Sequence, residues 1–167
     1  MDEICKLGEA GEQALNQWLK DQQLSYVAVC QAKETFSHMF IDGVKRPDFL
    51  VLFESIGLIA VDAKNYTLWK DSYSLNIEAE LKKSLAFERL FRIPLWYAYY
   101  DNTDGHESWY WISALKAAEV GQERKNSDKG EKFLAIKLDE FEHISEACDL
   151  AKLYTHRLPG ISKLATL

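Results

Sequence analysis

Phe49-Leu50-Val51-Leu52-Phe53 and Leu58-Ile59-Ala60-Val61, with only Glu54-Ser55-Ile56-Gly57 between them, decide how this chain folds. Neither run alternates with polar residues, so each reads as a strand covered on both faces, at the centre of an α/β sheet. The connection is hairpin length, which makes the two strands antiparallel neighbours. Charged residues stand at the open end of this hairpin. Lys45-Arg46-Pro47-Asp48 leads into the first strand, and Asp62-Ala63-Lys64 ends the second. In an antiparallel pair these two ends lie together, so the carboxylates of Asp48 and Asp62 converge. Asp62 and Lys64 are two residues apart and share one face of their strand. Charges at the mouth of a buried core are costly without a partner or a task.

Outward from the hairpin, the pattern is helix, strands, helix, strands, helix. Leu7, Gly11, Ala14, Leu15, Trp18 and Leu19 recur at helical spacing from about Lys6 to Gln22, with Glu12 at the border of that face. Ser25–Cys30 reads as a strand, and Phe36–Ile41 as a short strand or an irregular approach to the next one. Downstream, a polar and aromatic segment, Asn65–Asn76, precedes a helix from Ile77 to Arg92, stopped by Pro94. Strands follow at Leu95–Tyr100 and Ser108–Ile112, joined by a turn over Asp101–Glu107. Gly121–Lys132 has the composition of an exposed loop, and Phe133–Leu138 reads as a last strand. A closing helix is expected from Asp139, with Glu142 three residues on, a buried stripe of Phe141, Ile144, Cys148 and Ala151, and a stop at Pro159-Gly160. The economical architecture is one domain over residues 1–167, a mixed β-sheet flanked by α-helices.

The chain has 167 residues, 47% of them apolar and 13% aromatic, enough to fill one core and unlike a disordered, collagen-like or disulfide-stapled sequence. No apolar stretch approaches the ~20 residues of a membrane helix. Met1–Lys6 is acidic and lacks the basic and apolar regions of a signal peptide. Cys5, Cys30 and Cys148 have no metal-like spacing and fit reduced thiols, so a cytoplasmic protein without a membrane partner is expected. A formal charge of −6 argues against nucleic-acid binding through the whole-surface field, but leaves room for a local basic groove.

Two acids and an amine at the end of buried strands suit metal-assisted hydrolysis. Mg²⁺ and Mn²⁺ take oxygen ligands and keep several waters, so one or two carboxylates suffice. Such an ion stabilises charge on a phosphoryl oxygen and acidifies bound water, and a neighbouring lysine can orient that water. Pro47-Asp48, thirteen further residues, then Asp62-Ala63-Lys64 resembles the active-site motif of the PD-(D/E)xK nuclease superfamily. Gly8-Glu9-Ala10-Gly11-Glu12 and Ala63-Lys64-Asn65-Tyr66 are most similar to its nuclease-related (NERD) and Holliday-junction-resolvase-like branches, although NERD domains commonly carry Ile-Asp where this chain has Pro47-Asp48. The resemblance covers about residues 6–113, with the further strand and helix at about 133–157 outside it.

The resemblance implies a restriction-endonuclease-like fold and a Mg²⁺- or Mn²⁺-dependent nuclease acting on DNA before RNA. It implies Asp48 and Asp62 as metal ligands, assisted by the Ala63 carbonyl and by Glu12, and Lys64 as the residue that positions water. It also implies a polar helper on the second helix, for which Lys82, Lys83 and Glu80 compete. Lys45, Arg46, Lys70, Lys82 and Lys83 are further candidates for nucleic-acid contacts, through phosphate. Simpler readings stand beside these: Asp48 as a turn residue, Asp62–Lys64 as a surface ion pair, Glu12 as a solvated helix residue. The aromatic runs Trp96–Tyr100 and Trp109–Trp111 are core filling rather than base-stacking surfaces. His38, His106, His143 and His156 suggest neither zinc nor a catalytic triad, and the glycines form no phosphate loop. Two other functions follow from the same residues: a catalytically silent module binding nucleic acid or protein, and a nuclease acting on RNA. The acidic charge favours the silent module, or a homodimer or partner protein that supplies basic surface. Without metal, Asp48 and Asp62 are expected to repel, so that Asp62→Asn should cost no stability in chelator.

Overall fold

In the computed structural model, which describes residues 3–32, 34, 37, 38, 40, 43–53, 57–101, 108–126 and 130–155, the decisive hairpin forms as read. β2 (Phe49–Phe53) pairs antiparallel with β3 (Gly57–Lys64) in a register that sets Phe49 opposite Val61. Continuing that register puts Asp48 beside Asp62, and Asp48 N–H donates to the Val61 carbonyl at 3.0 Å. β1 (Ser25–Ala28) lies outside β2. β5 (Leu95–Asp101) runs parallel to β3 on its other side, followed by β6 (Ser108–Ser113) and a short edge strand, β9 (Glu142–Ile144). The result is a mixed sheet in the order β1-β2-β3-β5-β6-β9.

Each face of this sheet carries its own core, because successive strand residues point to opposite sides. On one face lies α1 (Glu3–Asp21), whose Leu15, Trp18 and Leu19 pack with Phe49, Val51, Val61, Trp96, Trp109 and Trp111. On the other lie α2 (Lys82–Phe91) and α3 (Ala114–Val120) with a second sheet: β4 (Ser72–Asn76), β8 (Lys132–Lys137) and β7 (Gln122–Lys125). Tyr73, Leu75, Leu134 and Ile136 of that sheet meet Ala60, Leu95, Tyr97 and Tyr99. β5 is buried from both sides over Leu95–Tyr99, which explains its run of apolar and aromatic residues. The described residues thus form one α/β domain that includes four α-helices, and no described helix is long and apolar enough to cross a membrane.

Several expectations are corrected. β4 and β7 lie in segments read as polar linker and loop. β4 alternates Tyr73 and Leu75 inward with polar residues outward, and β7 is exposed throughout because only its backbone pairs with β8. The helix expected from Ile77 opens with a π turn, Ile77–Leu81, before α2. No long helix starts at Asp139. Leu138–Glu140 is a 3₁₀ turn, β9 follows, then a 3₁₀ turn over Ala147–Leu150 and α4 (Ala151–Thr155). In a helix Phe141 and Ile144 would share a stripe. Here they stand three apart in extended backbone and bury in opposite cores, while Cys148 is exposed. Asp149 accepts from the N–H groups of Ser145 and Glu146 at 2.9 and 3.3 Å, and this local bonding restarts the chain in a new turn. β2 and β3 are also less covered near their turn than the unbroken runs imply, with Leu52 43% and Leu58 44% exposed. Half of Phe36–Ile41 (residues 36, 39 and 41), the connection over 54–56, the turn over 102–107, His106, His156 and Pro159-Gly160 lie outside the described residues.

Candidate active site

The site lies at the open end of the β2–β3 hairpin, on the face that carries α2. Asp62 and Lys64 point there with Ala60, as their spacing requires, and both are buried, at 1% and 6% exposure. Three loops and helix starts close around them. Lys45 arrives because the chain before β2 is tied to the start of α2, its N–H donating to the Lys83 carbonyl at 2.9 Å. Glu80 arrives from the π turn, whose first turn is capped by Asn76 accepting from Ala79 N–H at 2.8 Å. Single π turns recur at functional sites. Glu12 arrives from α1, which can approach the end of β3 because residue 11 is glycine. A Cβ there would stand 3.0 Å from Cβ of Asn65.

Four groups form a closed ring of alternating charge. Lys45 Nζ lies 2.8 Å from Asp62 Oδ1 and 2.7 Å from Glu80 Oε2, and Lys64 Nζ lies 2.6 Å from Asp62 Oδ2 and 2.7 Å from the same Glu80 oxygen. Lys64 also stands over the Tyr97 ring at 5.7 Å, so the floor of the site is aromatic. Asp48 is half-buried beside this ring. Its Oδ2 accepts from Ala63 N–H at 2.8 Å, and its Oδ1 lies 3.5 Å from Gln31 Nε2, which also donates to the Pro47 carbonyl at 3.0 Å.

The protonation of these acids divides them. Burial pushes Asp62 up, but Lys45 and Lys64 outweigh it and hold the carboxyl below its usual range. Around Asp48 the pull of Lys45 is outweighed. Burial, then the charges of Asp62 and Glu12, raise Asp48 to about 8. Glu12 is raised too, by burial and then by Asp62. Lys45 and Lys64 are both raised despite burial, because carboxylates surround them. The expected repulsion therefore falls on Asp48 and Glu12. Asp62 is held by two ion pairs, a geometry that argues for Asp62→Asn costing stability, against the expectation that it would cost none.

Compared with models of known families, with curated proteins and with solved structures, the chain matches none.

The structure brings Glu12, Asp48, Asp62 and Lys64 to one place, with the Ala63 backbone between them. Of the candidate phosphate contacts, Lys45 is inside the charged ring. Arg46 is half-buried, with Nη1 3.4 Å from the Ala32 carbonyl, and borders an apolar hollow of about 380 Å³ with Pro47, Leu50, Phe87 and Phe91. Lys82 is exposed and paired with Glu78 at 2.6 Å, Lys83 contributes its carbonyl to hold Lys45, and Lys70 lies on a separate turn over the ring of Trp69 at 4.5 Å. Among Lys82, Lys83 and Glu80, the side chain that reaches the site is Glu80. Gln31 was not foreseen, and a glutamine in a polar connection gives no signal that could have found it. Among the described residues, no three His, Cys, Asp or Glu side chains form a ready-made metal cage. The donor chemistry still fits a hard divalent ion. Glu12, Asp48, Asp62 and Glu80 offer oxygen ligands against only Lys45 and Lys64, and Mg²⁺ needs few protein ligands because it keeps its waters.

Proposed function

We propose that the protein is a Mg²⁺- or Mn²⁺-dependent nuclease of the PD-(D/E)xK type with a restriction-endonuclease-like fold, cutting phosphodiester bonds in DNA before RNA. The observation that carries this reading is the meeting of Asp48, Asp62 and Lys64 at the open end of one buried hairpin, with Asp48 accepting from Ala63 N–H and raised to about 8 by burial and then by the charges of Asp62 and Glu12. Asp48 and Asp62 would hold the ion, with the Ala63 carbonyl and Glu12 beside them. When bound, the ion supplies Lewis-acid stabilisation of the phosphoryl oxygens and a more acidic water. Lys64 acts from the chain's side. Anchored by Asp62 and Glu80 and backed by Tyr97, it presents a fixed ammonium that orients the attacking water and offsets charge building on the phosphate. The burial of Asp62 and Lys64 strengthens both effects by excluding water.

A catalytically silent module binding nucleic acid or a protein partner is the second reading, favoured by the lysines that already neutralise Asp62. The overall charge of −6 fits either this module or a nuclease whose basic surface comes from a second copy or another protein, and a cytoplasmic setting belongs to the same proposal. A cleavage panel with Mn²⁺ on duplex, single-stranded, flap and junction DNA and on RNA separates the readings. The nuclease cuts at least one of these, and Lys64→Ala loses at least ~10²-fold, the scale of a positioned catalytic group. Unchanged cleavage by that variant removes Lys64 from the mechanism, and no cleavage by the parent leaves the silent module.

A further inference from the structure

The charged ring contains a lysine that the nuclease motif does not call for. Lys45 Nζ sits between Asp62 Oδ1, at 2.8 Å, and Glu80 Oε2, at 2.7 Å. Its side chain is only 18% exposed, and its backbone is fixed to Lys83. Lys64 already serves the other oxygen of Asp62 and the same oxygen of Glu80. Lys45 thus covers the one Asp62 oxygen that Lys64 leaves open, so an ion that binds Asp62 has to compete with an ammonium there. A monovalent ammonium and a hydrated divalent ion cannot both be there, because each needs close contact with the same oxygen and they repel.

We propose that Lys45 is a built-in counter-cation that fills the metal position of the empty protein, so that a divalent ion enters by displacing it from Asp62. This rests on the metal-site reading above. Two consequences follow from one geometry. In the metal-free protein Lys45 stabilises the fold by adding a second cation to two carboxylates that Lys64 alone would have to balance. In the metal-loaded protein it is a competitor already paid off, so its presence weakens apparent metal affinity. A lysine that merely contacted substrate phosphate would do neither.

Lys45→Met keeps the length of the side chain and removes its charge. Calorimetric titration with Mn²⁺ should show the variant binding at least ~10-fold more tightly than the parent, since a like charge has left the ion's position. Its melting temperature in chelator should fall below the parent's, and saturating Mn²⁺ should close that gap. Equal or weaker Mn²⁺ binding by Lys45→Met, in a parent that does bind, overturns the role of Lys45 and leaves the metal site standing. No binding by either protein overturns both. If the variant does not fold in chelator, the parent alone decides by NMR of its lysine side-chain ammonium groups. Adding Mg²⁺ should move the Lys45 signal toward that of a solvated lysine while Lys64 keeps its ion-paired shift. An unmoved Lys45 signal at saturating Mg²⁺ overturns the proposal.

Discussion

The two ends of the β2–β3 hairpin invert the usual rule of burial. Near the turn, Leu52 and Leu58 are 43% and 44% exposed, whereas at the open end Asp62 and Lys64 are 1% and 6% exposed. The same two strands thus leave leucine in water and draw charge out of it. The difference is what packs above them. Over the open end sit the π turn, which brings Glu80, and the segment carrying Lys45, whose backbone is tied to the start of α2. Exposed leucines are ordinary, since much of any protein surface is apolar. Buried ion pairs are not, because desolvation cancels much of their attraction. The open end is therefore where this fold bears the cost of buried charge.

Substitutions at the two ends should differ accordingly. Asp62→Asn in chelator leaves Lys45 and Lys64 without their shared carboxylate, and should cost about 3–5 kcal/mol in a denaturant melt. A cost below ~1 kcal/mol would mean that the ring is solvated like a surface pair.

Asp48→Asn should act in the opposite direction. The folded protein keeps the Asp48 proton up to about pH 8, while the unfolded chain releases it near pH 3.8. The folded state therefore binds more protons in between, and stability in chelator should fall as pH rises from about 4 to 8. Asn mimics the protonated acid and can still accept from Ala63 N–H, so the variant should lose most of this slope and gain ~1–2 kcal/mol at pH 8. A parent whose stability rises with pH over that range would place the carboxylate in a compensated setting.

Glu12→Gln should be milder: a few tenths of a kcal/mol more stable in chelator, with weaker Mn²⁺ binding, since burial and Asp62 already disfavour its charge. Equal Mn²⁺ affinity would return Glu12 to a bystander role. Smallest of all, Leu52→Ser and Leu58→Ser should change stability by no more than about 0.5 kcal/mol, as for exposed surface positions. A larger loss in either would show that something covers this end in solution.

The hairpin, its register, α1, β5 and the mixed sheet were legible because buried strands and an amphipathic helix announce themselves in the order of apolar residues. Asp62, Lys64 and Asp48 were legible for the complementary reason, charge where the pattern demands apolar. The small sheet was not. β7, Gln122-Glu123-Arg124-Lys125, is held by backbone pairing and carries no apolar pattern at all. The segment after Asp139 misled because Phe141, Ile144, Cys148 and Ala151 fit a helical stripe, while edge pairing with β6 and the Asp149 turn decided otherwise. In the site, the choice of Glu80 over Lys82 and Lys83 depended on the π turn, and the position of Lys45 depended on one backbone bond to Lys83. Neither is written in residue spacing.

We propose that the charges buried at the open end form a divalent-cation site. Melting the parent in chelator and in Mn²⁺ tests it most directly, because an ion that binds the folded ring and not the unfolded chain must raise stability. At ~100 times Kd the gain should be about 2.7 kcal/mol, and it should shrink strongly in Asp62→Asn. A parent that melts at the same temperature with and without Mn²⁺ would contradict the account.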